Sequence, residues 1–381
     1  MAIRYFRSSF LVTAAGLVLG ALLGWTTTQS WRGALSTMFI VAVLGILEVS
    51  LSFDNAVVNA VVLKKMAPLW RRRFITWGIA IAVFGMRIVF PLIIVAVITR
   101  IDPISALVMA LGDPERYSAV LSSAHISVSA FGGAFLAMVG LKHFFNHEKD
   151  VHWIAAIERP LTRLGRIEAV ELGVVLVALY LVSIRLAGAE QFDFIVAGIF
   201  GLVTYIAVDG LSALLDAGSA VTGEIAQSGA ASFLYLEVLD ASFSFDGVIG
   251  AFALSNNLLV IAIGLGVGAM FVRSLTIMLV ERETLASYRY LEHGAFYAIL
   301  ALALMMFLGA VIHITEVVTG LIGAGFIVTA FVDSIRYNRR AVRSQAWADS
   351  AGGPNGIDPR SGTSDASRTS VREPFAESRQ E

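Results

Sequence analysis

The chain has no cysteine. That excludes disulfides, thiolate metal sites and cysteine nucleophiles, and leaves the redox compartment open. It also argues against soft metals such as Cu(I), which favour sulfur ligands. Charge is scarce too: Asp, Glu, Lys and Arg make up 15% of the 381 residues, against a hydrophobic fraction of 57% and a mean hydropathy of +0.77. A soluble domain of this length needs far more polar surface, so the excess apolar surface must face lipid. Catalytic signatures are missing as well. There is no H-E-x-x-H, P-loop, G-x-S-x-G or dinucleotide motif, no visible nucleophile–base arrangement, and no basic soluble domain for nucleic acid. The expectation is therefore a protein that is not an enzyme and does not bind nucleic acid. The net charge of −1 says nothing about partners, because the charges cluster in short segments between long apolar runs.

Those runs are what the chain has instead. A helix needs roughly 20 apolar residues to span the hydrocarbon core. The pattern predicts an all-α polytopic membrane protein with about ten transmembrane helices, at 9–26, 34–62, 74–98, 121–145, 168–187, 192–215, 230–254, 256–280, 293–312 and 314–335. The segment 104–111 is too short to span and is expected at the surface. Basic residues then set the orientation. Arg4 and Arg7, Lys64 to Arg73, Lys142 to Arg166, Arg282 and Arg289, and Arg336 to Arg343 all fall on one side if the count is ten. Both termini are expected in the cytoplasm, with the chain in the cell's inner (plasma) membrane. Arg4 and Arg7 before an apolar run resemble a signal peptide, but no small-x-small cleavage site followed by a soluble domain is visible, and the segment reads as a retained helix. Gly16, Gly20 and Gly24 on it allow close helix contact. From about Gln345 the chain is rich in Ser, Gly, Asp and Arg and is expected to be disordered. The organisation is thus a first helix and connector (1–33), a first repeat (34–145), a cytoplasmic segment with linking helices (146–229), a second repeat (230–335) and a tail (336–381).

The repeat is the most informative feature. The second helix reads Glu48-Val-Ser50-Leu-Ser52-Phe53-Asp54 and the seventh reads Asp240-Ala-Ser242-Phe-Ser244-Phe245-Asp246. Acid, Ser, Ser, Phe and acid recur at the same spacing. Downstream, Gly78 precedes Arg87 by nine positions and Gly264 precedes Arg273 by nine. With ten spans, the second helix runs inward and the seventh outward. The repeats are then inverted, as in many secondary transporters, whose ion sites lie near the midplane where the repeats meet.

A carboxylate in hydrocarbon costs about 2.5 kcal/mol or more, and compensation must come from neighbours. In an ideal helix Glu48, Ser52, Asn55 and Asn59 form one stripe, while Asp54 and Ser50 lie on another face. An i, i+6 pair is about 120° apart and about 9 Å along the axis. Glu48 and Asp54 therefore serve successive sites unless the helix breaks near Ser52–Asn55; Gly247 suggests a break in the second copy. Glu48, Asp54, Asn55, Asp240 and Asp246, supported by Ser52 and Ser244, form a hard-oxygen set suited to Mn²⁺, Ca²⁺ or Mg²⁺. The same acids can relay protons, or do both in an exchanger. Arg87, near mid-helix, is expected to pair with a site carboxylate. Arg273, closer to the cytoplasmic end, is expected to snorkel, and Asp209 reads equally well as a cavity or an interface residue. His125 and His293 begin helices and read as interface residues. His143, His147 and His152 read as part of a solvated charged segment rather than a metal site.

Leu239-Asp240-Ala-Ser-Phe-Ser-Phe-Asp246-Gly-Val-Ile resembles the second carboxylate signature of the TerC superfamily, and Glu48-Val-Ser-Leu-Ser-Phe-Asp54-Asn55 resembles its first. The resemblance covers roughly residues 34–335 and is closest in wording to an uncharacterised bacterial branch. It implies efflux of a divalent cation such as Mn²⁺, with Glu48, Asp54, Asp240 and Asp246 at the site and no resident cofactor. The chain departs from the pattern at Gly247, where Ser is frequent, and in its long 142–167 loop. The alternative reading is a non-transporting membrane scaffold for a metal or tellurite stress-response complex, dependent on the tail or that loop.

Overall fold

The computed structural model describes residues 4–351 apart from 148, 150, 168, 223–227, 253, 283–287 and 313. Every regular element among the described residues is a helix, with no strand. In chain order the helices are α1 (Arg7–Thr28), α2 (Trp31–Leu51), α3 (Phe53–Lys65), α4 (Pro68–Ala80), a π-helical stretch (Ile81–Val89) and α5 (Phe90–Thr99). These are followed by α6 (Pro103–Gly112), α7 (Pro114–Ser123), α8 (His125–Phe145), α9 (Ala155–Leu164) and α10 (Val170–Ser183). Then come α11 (Ala189–Thr222), α12 (Ser228–Phe252), α13 (Leu258–Glu281), α14 (Leu291–Gly309) and α15 (Glu316–Ala351). Residues 1–336 form one compact unit and residues 337–381 a second, described only as the end of α15.

Local chemistry sets many boundaries. Proline opens α4, α6 and α7, where its missing N–H is not needed. Asp102 Oδ1 accepts from the amides of Ile104 and Ser105, and Asn257 Oδ1 from those of Leu259 and Val260, satisfying first-turn donors. Gln29 and Arg100 end α1 and α5 in the left-handed conformation.

The burial pattern is inverted relative to a soluble protein. Phe39, Trp77 and Phe192 are 68%, 69% and 70% exposed, whereas Glu48, Asp54, Asn55, Asn59 and Arg87 are all buried. Among the described residues seven helices are long and apolar enough to cross a membrane: α1, α2, α8, α11, α13, α14 and α15. The count is eight if residues 84–99 and 103–112, bent by 103°, are one span. The chain is an all-helical, multi-pass membrane protein.

Each segment of the sequence reading lies on a helix, with three differences. The run 34–62 is broken at Ser52 into α2 and α3. The run 74–98 passes through the π-helical stretch. The segment 104–111, expected at the surface, is α6, and its Ala106 and Ala110 pack into a core with Tyr117 and Leu121. At the other end, α15 continues to Ala351, into the stretch expected to be disordered. Arg339, Arg340, Ala341 and Ala346 are good helix formers, and extending an existing helix avoids the cost of nucleation. Residues 352–381 lie outside the described residues.

The helices pack in a crossed pattern. α2 lies against α13, α12 against α4 and the π-helical stretch, and α8 against α14. Contact between α2 and α13 is close enough that a Cβ on Gly264 would lie 2.5 Å from Leu44 Cβ. One on Gly268 would lie 2.4 Å from Glu48 Cβ; only small residues allow such approach. The glycine row of α1 is used the same way, with Gly16 against Val267 of α13 and Gly20 against Val41 of α2. Ser9 on α1 donates to Met270 O at 2.8 Å, a buried polar anchor.

A strap of residues 146–164 crosses the ends of α8, α14 and α15. Its centre is Glu158, 1% exposed, whose Oε1 accepts from the amides of Trp153 and Ile154 at 3.1 Å. Lys149 Nζ and His293 Nε2 lie 3.5 and 3.4 Å from its Oε2, Lys149 donates to His143 Nε2 at 2.9 Å, and Trp153 Nε1 donates to Asp333 at 3.1 Å. Glu158, Lys149 and His293 thus form a buried ionic clasp inside a segment whose His147, Arg159 and Arg163 stay exposed, as expected of a solvated charged loop. The Glu158 carboxylate can leave water because it is paired.

Candidate cation site

The site begins with the break in the second apolar run. Ser50 Oγ donates back to Ile46 O at 2.8 Å and Ser52 Oγ to Glu48 Oε1 at 3.1 Å. A hydroxyl bonded to the carbonyl of the preceding turn, as at Ser50, bends a helix, and Ser52 leaves the helical basin at φ −101°, ψ 16°. Asp54 then falls in the first turn of α3, where Oδ1 accepts from the amide of Asn55 at 3.0 Å. The positive end of the α3 dipole favours a carboxylate there. The break that the sequence left open as an alternative near Ser52–Asn55 is present at Ser52.

Glu48, Ser52, Asn55 and Asn59, the predicted stripe, together line a cavity of about 60 Å³. Across it stand Arg87, Asp240, Ser244 and Arg273. Arg87, carried on the π-helical stretch, pairs with Glu48. The wider turn re-aims side chains, and such stretches recur at functional sites. Asn59 Nδ2 donates to Asp240 Oδ1 at 2.8 Å, so the second repeat's first acid is bonded to the first repeat's stripe. Arg273 does not snorkel outward. It lines this cavity and donates from Nη1 to Phe74 O at 3.3 Å, because a carbonyl and nearby acids are available inside. Three buried oxygens on the walls have no hydrogen-bond partner: Asn55 Oδ1, Asn59 Oδ1 and Ser244 Oγ.

A second cavity, about 610 Å³, lies on the other side of the break. Glu48, Ser52 and Asn55 line both cavities and form the partition between them. Asp54 faces only the larger one, with His125, Glu190 and Gly247. Ser50 faces neither and lines an apolar groove between α2, α3 and α15. The two acids of the first motif thus address successive compartments, with Glu48 common to both.

Several expectations change. Gly247 does not break its helix, since α12 runs unbroken from Ser228 to Phe252. It provides close approach instead: a Cβ there would lie 3.3 Å from Glu48 Oε2. Asp246 is on α12, but its side chain lies outside the described residues. Asp209 is not at the cavity; it is half-exposed and pairs with Lys142 of α8 at 2.6 Å. His125 lines the larger cavity, while His143 and His293 belong to the clasp. Among the described residues no three His, Asp or Glu side chains converge as a metal cage.

One residue escaped the sequence reading. Glu237, one turn before Asp240 on α12, is 8% exposed and neither carboxylate oxygen has a hydrogen-bond partner. The signal was a third acid in the apolar run 230–254. It lies outside the repeated motif, and its counterpart in the first repeat is Gly45.

The model of a family described as "Protein of unknown function (DUF475)" matches residues 53–341. Asp54, Asn55, Arg87, Asp240, Asp246 and Arg273 lie within the match, and Glu48 and Ser52 just ahead of it. No curated protein and no solved structure matches the chain.

Proposed function

The chain belongs to the DUF475 family, and we propose that it is a membrane transporter that exports a divalent cation, Mn²⁺ or Ca²⁺, through the Glu48–Asp240 site. The observation that carries this reading is the pair of cavities that share Glu48, Ser52 and Asn55 in their walls. A carboxylate accessible from two compartments in turn is what a carrier needs at its midplane. The unpaired oxygens of Asn55, Asn59 and Ser244 add neutral hard donors beside the carboxylates. With no three-acid cage among the described residues, the ion is held by few charges and many neutral oxygens. That arrangement favours release over retention.

The crossed packing supports an inverted repeat, as does the resemblance of both motifs to the TerC superfamily. The first helix of each copy, α2 or α12, lies on the second helix of the other, α13 or the α4–π segment, and the third helices α8 and α14 lie together. A two-fold axis relating the copies produces these pairings. In this reading α10, α12 and the α4–α5 segment join the seven, with α3 continuing the span of α2, to make ten, with both termini in the cytoplasm. The larger cavity, with Ser122, Glu190 and Ile312 at its mouth, then opens outward, and the smaller one faces the cytoplasm.

Cells expressing the protein should accumulate less Mn²⁺ than cells without it, and Asp54→Asn and Asp240→Asn should each abolish the difference. Export by both variants at the wild-type level would defeat the proposal.

A further inference from the structure

We infer that Glu237 is the proton-carrying group of the transporter, separate from the cation ligands, so that the coupling ion is H⁺. The inference rests on the transport reading above and adds to it the ion moved in exchange.

Glu237 is an unpartnered carboxyl inside the bundle. It is more than nine-tenths buried, both oxygens lack hydrogen-bond partners, and it makes no ion pair among the described residues. It borders an open cavity of about 240 Å³ walled by Met86, Phe90, Val128, Phe131 and Thr204, none of them ionisable. A buried carboxyl whose oxygens have no hydrogen-bond partner among the described residues is the kind of intramembrane group that relays protons. On its other side Oε1 lies 3.5 Å from where a Cβ on Gly78 would be, and Gly78 lines the smaller cavity. A Cβ there would narrow the gap between the carboxyl and that cavity.

Two charged groups face it: Asp240, one turn along α12, and Arg273 of α13. Glu48 and Arg87 face Asp240 in turn. Arg273 is held by Phe74 O through Nη1 while its Nη2 has no partner, so a guanidinium donor stands ready for a newly formed carboxylate. The coupling follows from electrostatics. A divalent cation at Asp240 favours the ionised form of a carboxyl one turn away. Glu237 then releases one proton to the water of the smaller cavity, and its carboxylate turns to Arg273. When the cation leaves, the carboxylate takes a proton back. Cation and proton thus oppose each other at adjacent groups, and by linkage each weakens the binding of the other. The first repeat has no such group, because Gly45 occupies the matching position and is packed against Val267.

The test uses the full-length protein in proteoliposomes with Mn²⁺ outside, an internal Mn²⁺ reporter and an internal pH reporter. Wild type should move protons against Mn²⁺. Glu237→Gln, which mimics the protonated acid, should still equilibrate Mn²⁺ while proton movement falls at least tenfold, and Glu237→Asp should restore it. The infrared carbonyl band of a protonated carboxyl should disappear in Glu237→Gln. Wild-type proton movement in Glu237→Gln, loss of Mn²⁺ movement together with proton movement in that variant, or persistence of the full band overturns this assignment alone. A wild-type protein that moves no Mn²⁺ overturns the transport reading and this one with it.

Discussion

Arg87→Met gives a sharp test of the site's energetics. Arg87 and Glu48 are 6% and 3% exposed and are paired with each other. Removing the guanidinium leaves Glu48 with the hydroxyl of Ser52 at 3.1 Å in a wall shared by two cavities. Breaking a buried pair by deleting one partner costs about 3–5 kcal/mol, because the remaining charge is uncompensated. Glu48→Gln strands Arg87 in the same way. The double variant Glu48→Gln/Arg87→Met removes both charges and keeps the shape, so its cost should be well below the sum of the two. The expected coupling is about 2–3 kcal/mol, within the range for residues in one ionic network. Equilibrium unfolding of the purified variants in detergent micelles measures it. A coupling below about 0.5 kcal/mol would refute the reasoning, since the pair would then hold neither the π-helical stretch nor the partition in place.

Other outcomes follow from the same geometry. Gly268→Ala places a Cβ 2.4 Å from Glu48 Cβ and 2.7 Å from Gly45 O; overpacking of about 1–3 kcal/mol is expected in the same unfolding assay. Glu158→Gln leaves Lys149 without its counter-charge and should cost about 3 kcal/mol, read out as faster proteolysis within 146–164. Burial, outweighing the pull of Glu158, holds the Lys149 ammonium below its usual value of 10.5. The folded chain then binds fewer protons than the unfolded one between the two values, so the clasp gains stability as pH rises toward 10.5. Protease protection of the strap should therefore increase as pH rises toward 10.5. Saturating Mn²⁺ should raise the melting temperature of wild type, by about 2.7 kcal/mol of stabilisation at a hundredfold excess over Kd; no rise for any of Mn²⁺, Ca²⁺, Mg²⁺ or Zn²⁺ would count against binding.

Helices were legible in the sequence because lipid demands long apolar runs, and every run lies on a helix. Interruptions were only partly legible. The break between α2 and α3 was legible only as an alternative, raised by the i, i+6 spacing of Glu48 and Asp54. The same motif in α12 leaves the helix unbroken, so the break depends on tertiary surroundings rather than on the motif. There Gly247 answers to the approach of Glu48, a contact 199 positions away in the chain that no local pattern encodes. The stripe Glu48, Ser52, Asn55 and Asn59 was readable from helical periodicity alone. Its pairing with Asp240 and Arg87 followed from the repeat and from burial. Asp209 was left open between cavity and interface, and Arg273 was misplaced, because distance from a helix end does not say which face a side chain takes. Glu237 was passed over because attention went to what is repeated, and it is the residue that breaks the repeat.

The central claim is that a divalent cation crosses the bilayer through the wall formed by Glu48, Ser52 and Asn55. Mn²⁺ flux into proteoliposomes holding the purified full-length protein tests it most directly. The account predicts protein-dependent, saturable Mn²⁺ movement, lost in Glu48→Gln and in Asp240→Asn and retained in Asp209→Asn, whose side chain is at the Lys142 contact instead. Flux in Glu48→Gln and Asp240→Asn equal to wild type, or none in wild type above protein-free vesicles, would contradict it.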